Sequence, residues 1–492
     1  MYLISRKKIL KLTKRAQSLY IKKIVWMAVL FYLTFDVWAK VEKPFILAEN
    51  GIAKAVIVCM PDSGKVAEFA ASELKYYLDK STGASFKILD KKPASGAMIL
   101  VGESSESREL GVSVKDLKYD GFFLKRSGDI FIIAGKDDKN FDIPGRLNRN
   151  PSPAKPRTLL FGNERATLFG VYEFLERTIG LRWYFPGKHG EYVPAKQKLV
   201  IPDKLKQKNE PCFMFRYSHI ASGRKGSKEF ADYPEIGLTN AEVNLWLLRN
   251  KRSSQFFPVN HMPPHAKFKE RFADHPEYFA LTKARKRDNK LKRYHLCYSN
   301  PDLLDEISKD VEAFFGGQLP LSRGLKAWNG SIAYGDYYSL LPHDSFGGCF
   351  CKDCIKKRNK TTNWSELVWG YVVTVAGQVS KKYPDKYITC LCYPPYNKVP
   401  QTVNLPGNVV VGLSLYGPAI AADDKSFAWQ KEQIKKWRDF SNHKKVFLWT
   451  YNCLEIYNRE VLQGIPKLQT HAIKKFYSSL KGDIVGAFYE NH

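Results

Sequence analysis

The segment 339–354, which reads SLLPHDSFGGCFCKDC, holds the residues best suited to chemistry. It places His343 beside Asp344, follows them with a Gly-Gly turn, and ends on three cysteines in the spacing C-x-C-x-x-C. A short apolar run precedes the segment, and a long amphipathic pattern, Trp364–Val379, follows it. Barrels of alternating strands and helices carry their catalytic groups on loops of this kind. We therefore expect this loop to form one wall of an active site.

The cysteines of this loop have three alternative states. Cys349, Cys351 and Cys354 are close together in sequence, and Cys297 lies near the end of a predicted strand. In an exported protein a disulfide that pins the loop is the favoured state, with free thiols as the second alternative. A zinc site is the third, and it needs a fourth ligand nearby, such as His343 or Cys297. We expect disulfide bonding among the four cysteines, no metal and no cofactor.

Acidic residues near the ends of predicted strands are the candidate catalytic groups. Glu490 directly follows the last apolar run, so it should project at the top of a barrel strand and act as general acid/base. Asp344 is the candidate second acid that polarises or binds substrate, unless it only caps its own loop by accepting backbone N–H bonds. Asp336 is a comparable alternative, and Glu455 is the weakest of the four. The structural alternative for Glu490 is a surface residue near the chain end.

The candidate substrate-binding residues are aromatic or polar. They are Trp246, Arg249, His261, His265, Tyr393, Tyr451 and Asn452. The first two are three residues apart and would share one face of a helix. The two histidines bracket a Pro-Pro turn, and the last three follow strand-like runs. Each has a structural alternative, because loop histidines and aromatic residues also seal the ends of barrels.

The elements that must position these residues fall into two units. Residues 45–202 alternate short apolar strands with two amphipathic helices, which predicts an α+β domain with helices on one face of a small sheet. The polar stretch 203–211 is the predicted linker. Residues 212–492 alternate strand-like runs with helical patterns, as in a (β/α)8-type TIM barrel. The predicted fold class is α/β, with the α+β domain preceding the barrel.

The count of strands in the second unit bears on how much of the barrel the chain contains. The strand-like runs are 213–219, 244–248 (strand or helix), 327–334, 387–393, 409–415, 446–450 and 484–489. The helical patterns between them are 301–315, 364–382, 426–440 and 468–480. About seven strands are found where a closed barrel needs about eight. An open edge is unfavourable, so we expect the barrel to be incomplete at its C-terminal end.

The charge of the chain limits the classes of partner. The chain carries 78 Lys and Arg against 49 Asp and Glu, a formal net charge of +29. Residues 1–39 hold eight basic residues and one acidic residue, so removing their +7 leaves +22. A surplus of this size favours anionic polysaccharides, and it also fits an ordinary basic surface. No nucleic-acid motif accompanies the scattered basic residues, so we expect no nucleic-acid partner.

The N-terminal segment 1–39 has the pattern of a signal peptide. A basic region ends at Lys23, a mostly apolar run follows at 24–37, and Val37-Trp38-Ala39 suits cleavage before Lys40. The alternative is an uncleaved N-terminal anchor. Either way we expect a secreted or periplasmic protein, with no membrane span in the mature chain.

Four sequence motifs carry a resemblance to known families. The stretch LRWYFPGKHGEYVP (181–194) resembles the end of the non-catalytic α+β domain of hexosaminidases and α-glucuronidases. Three others, HPEYFAL (275–281), HLCYSNP (295–301) and the Asp344 loop with its C-x-C-x-x-C, resemble the domain-of-unknown-function family 4838. That family includes endo-β-N-acetylglucosaminidases of glycoside hydrolase family 163. The resemblance covers about 45–492. Members of the family typically continue past the position at which this chain ends.

The resemblance implies an exported glycoside hydrolase that cleaves β-linked N-acetylhexosamine (GlcNAc) in glycans. It implies retention of configuration with substrate assistance, in which the 2-acetamido group is the nucleophile and a protein carboxylate orients it. One alternative is an α-glucuronidase-like glycosidase on the same scaffold. The other is a glycan-binding envelope protein without catalytic activity. The expected partner is therefore a glycan or oligosaccharide.

Overall fold

The protein is represented by a computed structural model. It describes residues 44–147, 161–201, 206–220, 239–260, 265–287, 294–358, 363–421, 423–442, 444, 446–451 and 470–491. The predicted signal segment and the candidates His261, Asn452 and Glu455 lie outside these residues. For Glu490 and His265 the backbone alone is described. No helix among the described residues has both the length and the apolar character needed to cross a membrane.

The N-terminal unit is an α+β domain, as predicted. Its strands are β1 (Phe45–Glu49), β2 (Ile52–Ala53), β3 (Ala55–Val58), β4 (Ile88–Leu89), β5 (Ala97–Val101), β6 (Phe122–Ser127), β7 (Ile130–Gly135), β8 (Arg182–Trp183), β9 (Glu191–Tyr192), β10 (Lys198–Ile201) and β11 (Lys206–Asn209). Its helices are α1 (Lys65–Thr82), α2 (Ser105–Glu109), α3 (Ile143–Leu147) and α4 (Ala166–Thr178). The main sheet has the order β11-β6-β7-β5-β3-β4, and β10-β1-β2 and β8-β9 form smaller sheets.

Helices α1 and α4 cover one face of the main sheet. In α1 the buried residues Ala67, Ala70, Leu74 and Leu78 recur at helical spacing and enter one core with the apolar side of α4. Helix α1 ends at Gly83, which takes the left-handed conformation (φ 69°) that glycine adopts without a steric penalty.

The predicted linker is corrected in its last residues. Strand β11 lies within 203–211 and pairs antiparallel with β6, with Gln207 opposite Leu124. A sheet edge at β6 would otherwise expose its backbone N–H and C=O groups, and β11 satisfies them. The N-terminal sheet therefore extends to Asn209.

The second unit is built on a curled, mostly parallel sheet. Its strands are β12 (Phe215–Ile220), β13 (Ala333–Tyr334), β14 (Tyr337–Ser339), β15 (Tyr387–Cys392), β16 (Val409–Leu415), β17 (Val446–Tyr451) and β18 (Ile484–Asn491). Its helices are α5 (Asn240–Arg249), α6 (His265–Arg271), α7 (Pro301–Phe315), α8 (Lys352–Lys357), α9 (Ser365–Lys382), α10 (Asp424–Phe440) and α11 (Thr470–Ser479). The strand order is β12-β18-β17-β16-β15-β14-β13, with every pair parallel except β13–β14.

The position of β18 corrects the expectation of an open edge after the last strand. Strand β18 pairs on one side with β17 and on the other with β12, the first strand of this unit. Pairing of the first strand with the last is how barrels close. Gly486 makes the close approach possible, because a Cβ there would lie 1.8 Å from the carbonyl oxygen of Phe215.

The irregular part of the sheet lies between β12 and β13 instead. The described residues there contain no regular strand, and the segment 253–260 bridges the gap. The Ser253 amide donates to the carbonyl of Arg216 (3.2 Å) at one side. At the other side the Ser339 hydroxyl donates to the carbonyl of Asn260 (3.0 Å). Among the described residues, hydrogen bonds from 253–260 therefore link β12 to β14 where no regular strand lies between them.

Aromatic side chains fill the inside of the curled sheet in layers. Phe215, Phe257 and Phe447 form one layer, with ring centroids 5.0–6.1 Å apart. The next layer toward the carboxyl ends stacks Phe488 on Tyr217 (4.7 Å) and on Trp449 (4.0 Å). Alternate residues of each strand thus face the interior, as in a packed barrel.

Candidate active site at the carboxyl ends of the strands

The carboxyl ends of β12 and β14–β18 meet at one edge of the curled sheet, where barrels hold their catalytic groups. Glu490 is the seventh residue of β18 and is aligned with Tyr451 of β17 and His219 of β12. It follows Phe488 by two residues in the same strand. Glu490 thus lies near the carboxyl end of β18, and its projection into a site and its catalytic role stay predictions.

Asp344 lies in the loop after β14, half-buried, and has two described donors. The backbone amide of Ser345 donates to Asp344 Oδ1 (2.8 Å), and the hydroxyl of Tyr393 donates to the same oxygen (3.4 Å). The bond from Ser345 is the one expected of an aspartate that caps its own loop. The bond from Tyr393 connects Asp344 to the loop after β15. The structure thus brings together two residues predicted from separate parts of the sequence.

Tyr396 is a residue of this region that sequence reasoning missed. Its side chain is fully buried, with its ring 5.6 Å from that of Phe346 and 6.4 Å from that of Tyr393. Its hydroxyl has no hydrogen-bond partner among the described residues, and burial raises its pKa well above the ordinary value. The available signal was the turn YPPY directly after a strand, which places two tyrosines at one strand end.

The alternative acid Asp336 is at the wrong end of the sheet. The predicted strand 327–334 is shorter in the structure, and the chain reverses direction between β13 and β14. Asp336 therefore precedes β14 and lies at its amino end, whereas Asp344 follows its carboxyl end. Its exposed carboxylate pairs with Lys386. The prediction places Asp336 after a strand at 327–334, and that position is wrong because a further strand, β14, follows Asp336.

Trp246 and Arg249 hold the two units together rather than line the strand ends. The helix expected for them is present as α5, but this face packs on the N-terminal unit. The guanidinium of Arg249 is paired with Glu73 (3.0 Å) and Glu191 (2.7 Å), and Trp246 Nε1 donates to the carbonyl of Trp183 (2.9 Å). Both were assigned to substrate because helical spacing does not reveal which neighbour a face meets.

The electrostatics of Arg249 support a structural role. Burial alone would raise the pKa of Glu191, but hydrogen bonds from Lys80 and Tyr77 and the charge of Arg249 hold it below the usual range. Burial by itself would lower the pKa of Arg249. The charge of the Glu73 carboxylate and its hydrogen bond act in the opposite direction, and the pKa of Arg249 is raised. The Arg249 guanidinium is therefore held by two buried carboxylates of the N-terminal unit, which is a structural role.

A cavity of about 670 Å³ is lined by residues of both units. Its lining includes Trp246, Asn209 and Tyr477. Two ion pairs lie in its wall, Arg216 with Asp120 (2.8 Å) and Lys251 with Glu173 (2.9 Å). We therefore assign this cavity to the junction of the two units.

The four candidate cysteines come together as free thiols, which contradicts the disulfide prediction. Cys297 Sγ lies 3.6 Å from Cys351 Sγ and 3.8 Å from Cys354 Sγ, far beyond the S–S bond length of about 2.05 Å. Hydrogen bonds from the Cys349 and Cys354 thiols hold the pKa of Cys297 below its usual range. The same contact with Cys297 raises the pKa of Cys349 to about 12.

Comparisons with known proteins agree with this architecture. The family described as "Domain of unknown function (DUF4838)" matches residues 185–492. None of the curated proteins matches the sequence. Similar solved structures include a GH115 4-O-methyl-alpha-glucuronidase with specificity for decorated arabinogalactans, at TM-score 0.50 and 13% identity. The similarity covers 91% of this chain and 55% of that one.

Two further solved structures are more distant. The chitobiase of Flavobacterium johnsoniae gives TM-score 0.43 at 15% identity, covering 91% of this chain and 63% of that one. The GH20 beta-N-acetylhexosaminidase of Streptomyces coelicolor A3(2) gives 0.43 at 12% identity, covering 92% and 83%. The chain thus spans about half to two thirds of the first two structures. At 13% identity, the likeness to the GH115 structure at TM-score 0.50 establishes a shared fold alone.

Proposed function

The chain belongs to the DUF4838 family, and on that premise we propose that it is a glycoside hydrolase acting on β-linked N-acetylhexosamine in glycans. The observation that supports this most directly is the placement of two acidic residues, Asp344 and Glu490, at the carboxyl-end edge of a curled parallel sheet. Glycosidic bonds are cleaved by pairs of carboxyl groups, and parallel α/β barrels carry such pairs at this edge.

In the proposed reaction Glu490 protonates the leaving oxygen and later activates water as general base. The 2-acetamido group of the substrate attacks its own anomeric carbon, and Asp344 orients and polarises that amide. Tyr393 donates to Asp344 and so helps fix the carboxylate. Retention of configuration follows, because two inversions occur at the same carbon. We further propose that the protein is exported, on the basis of the segment 1–39.

The test is hydrolysis by the purified full-length chain of a panel of glycosides. The panel contains 4-methylumbelliferyl β-N-acetylglucosaminide, an N-glycopeptide with a chitobiose core, and an aryl α-glucuronide. We expect turnover of an N-acetylhexosaminide, lowered by about 10²–10⁴ in kcat by Glu490→Gln. Asp344→Asn should also lower kcat.

Asp336→Asn is the matched control, because it removes one acidic group from the opposite end of β14. It should leave kcat unchanged. Turnover of the glucuronide alone would replace the proposed substrate with an acidic one. Binding of glycan without any turnover, unaffected by Glu490→Gln, would favour a glycan-binding protein and overturn the proposal.

A further inference from the structure

The thiol cluster contains four cysteines from two separate parts of the chain. Cys297 comes from the segment before α7, whereas Cys349, Cys351 and Cys354 come from the loop after β14 and the first turn of α8. All four Sγ atoms lie within 4.8 Å of one another. Three of these residues are buried and Cys351 is half-buried. The cluster has no role in the proposed reaction.

The spacing of the sulfurs fits a tetrahedral metal ion. Zinc binds thiolates at about 2.3 Å, which sets the sulfur–sulfur edges of a tetrahedron at about 3.8 Å. The two distances from Cys297, 3.6 and 3.8 Å, match that edge. A disulfide would need one pair at about 2.05 Å with the other two thiols left over. The geometry therefore favours one shared cation over covalent pairing.

Neighbouring donors are arranged as they are around metal-bound thiolates. The backbone amide of Leu281 donates to Cys349 Sγ (3.2 Å), and the amide of Cys354 donates to Cys351 Sγ (3.4 Å). The Cys354 thiol donates to the hydroxyl of Ser299 (3.0 Å), which also lies 3.4 Å from Cys297 Sγ and can donate one hydrogen bond to a thiolate once the thiol protons are lost. Donors of this kind offset the charge of thiolates and orient them toward a metal.

From these observations we propose that Cys297, Cys349, Cys351 and Cys354 bind a structural zinc ion. The four thiols lose their protons as the Zn²⁺–S bonds form, so that binding releases up to about four protons. Four protein ligands leave no open position, which is the arrangement of structural and not of catalytic zinc. The C-x-C-x-x-C spacing supplies three ligands from one loop, and Cys297 fixes that loop to the rest of the barrel.

The site would order the loop that carries Asp344. Cys349 follows Asp344 by five residues. The amide of Phe350, between two of the ligands, already donates to the carbonyl of Leu281 (2.7 Å). A metal at this point would tie the loop to Cys297, beside its existing bond to Leu281, and thereby set where the strand-end acid sits. This inference does not depend on the proposed function, because its test measures metal and not turnover.

The test begins with the metal content of the full-length protein, expressed with zinc and purified under reducing conditions without chelator. We expect about one zinc per chain by inductively coupled plasma mass spectrometry. Cys297→Ser and Cys351→Ser should lose most of that zinc. Cys390→Ser is the matched control, because Cys390 is also buried but lies outside the cluster, and it should keep its zinc.

A second measurement guards against variants that simply fail to fold. Cobalt(II) added to the wild-type apoprotein should give the thiolate charge-transfer band and the intense visible bands of a tetrahedral tetrathiolate site. Absence of zinc together with absence of these bands would overturn the proposal. Disulfides among these four cysteines in non-reducing peptide maps would overturn it as well. Iron in place of zinc would overturn the identity of the metal.

Discussion

At the residue scale, the contact between Tyr393 and Asp344 is the most informative one at the strand ends. The two residues are 49 positions apart and meet because β14 and β15 are parallel neighbours whose following loops emerge side by side. The hydrogen bond is long, at 3.4 Å, so its strength is modest. Tyr393 therefore contributes only modestly to the position of the Asp344 carboxylate. The loop that contains Tyr393 also contains the buried Tyr396.

Tyr393→Phe tests this contact. Loss of one hydrogen bond of about 0.5–1.5 kcal/mol should lower kcat/KM by about two- to tenfold, without loss of folding. Michaelis–Menten kinetics on the best substrate would measure it. Tyr387→Phe, at the amino end of the same strand, is the control and should not change kcat/KM. Equal effects of the two substitutions would contradict a role for Tyr393 at the strand ends.

At the element scale, the pairing of β12 with β18 depends on one glycine. Gly486 has φ 151°, and the carbonyl oxygen of Phe215 occupies the space that a side chain would need. Gly486→Ala should therefore force the two strands apart and destabilise the second unit by more than about 3 kcal/mol. Urea unfolding followed by tryptophan fluorescence would measure the change.

Gly370→Ala in α9 is the control for this substitution, because no atom outside the adjacent backbone of its own helix lies within 4 Å of the position of its Cβ. Alanine there should leave stability unchanged or raise it by up to about 1 kcal/mol, since glycine is a poor helix former. A Gly486→Ala protein as stable as the Gly370→Ala protein would show that β12 and β18 do not pair closely.

The junction between the units depends on the buried Arg249. Arg249→Met leaves Glu73 and Glu191 buried without their main counter-charge, which should cost about 3–5 kcal/mol. The exposed pair Lys382–Glu312 (3.3 Å) offers the control Lys382→Met, with an expected loss of about 0–1 kcal/mol. KM of folded Arg249→Met protein should equal that of wild type. A large rise in KM without loss of stability would restore Arg249 as a substrate ligand.

At the scale of the whole molecule, acid should loosen the junction of the two units. The pKa of Glu191 in the folded protein lies below its reference value of 4.5. The carboxylate therefore contributes stability that is present above about pH 4.5 and is lost as pH falls through its folded-state pKa. Melting temperatures measured from pH 7 to pH 3 should fall steeply below about 4.5. This fall should be smaller in Arg249→Met protein, and an unchanged fall would assign the acid sensitivity to other carboxyl groups.

The site formed by the four cysteines depends on a local motif and on the fold. The C-x-C-x-x-C motif supplies three of the cysteines, and the fold brings Cys297 next to them. Export would place these thiols where disulfides form readily, and a bound zinc ion would protect them from that oxidation. Thiols held as a metal site are thus compatible with the signal-like segment 1–39, which remains a prediction.

The sequence by itself determined those features that depend on local periodicity and short motifs. These are the two units, the helices α1, α4, α7 and α9, the strand that carries Glu490, and the resemblance to the DUF4838 family. The 3.6- and 2-residue repeats of apolar residues are properties of neighbouring positions, so they can be read without a fold.

Only the tertiary structure decided what each face and each strand end meets. It turned Arg249 toward Glu73, put Asp336 at the amino end of β14, set β18 beside β12, and gathered Cys297 with three cysteines more than 50 residues away. Each of these depends on contacts between distant segments, and the spacing of residues along a chain does not encode which distant segment becomes a neighbour.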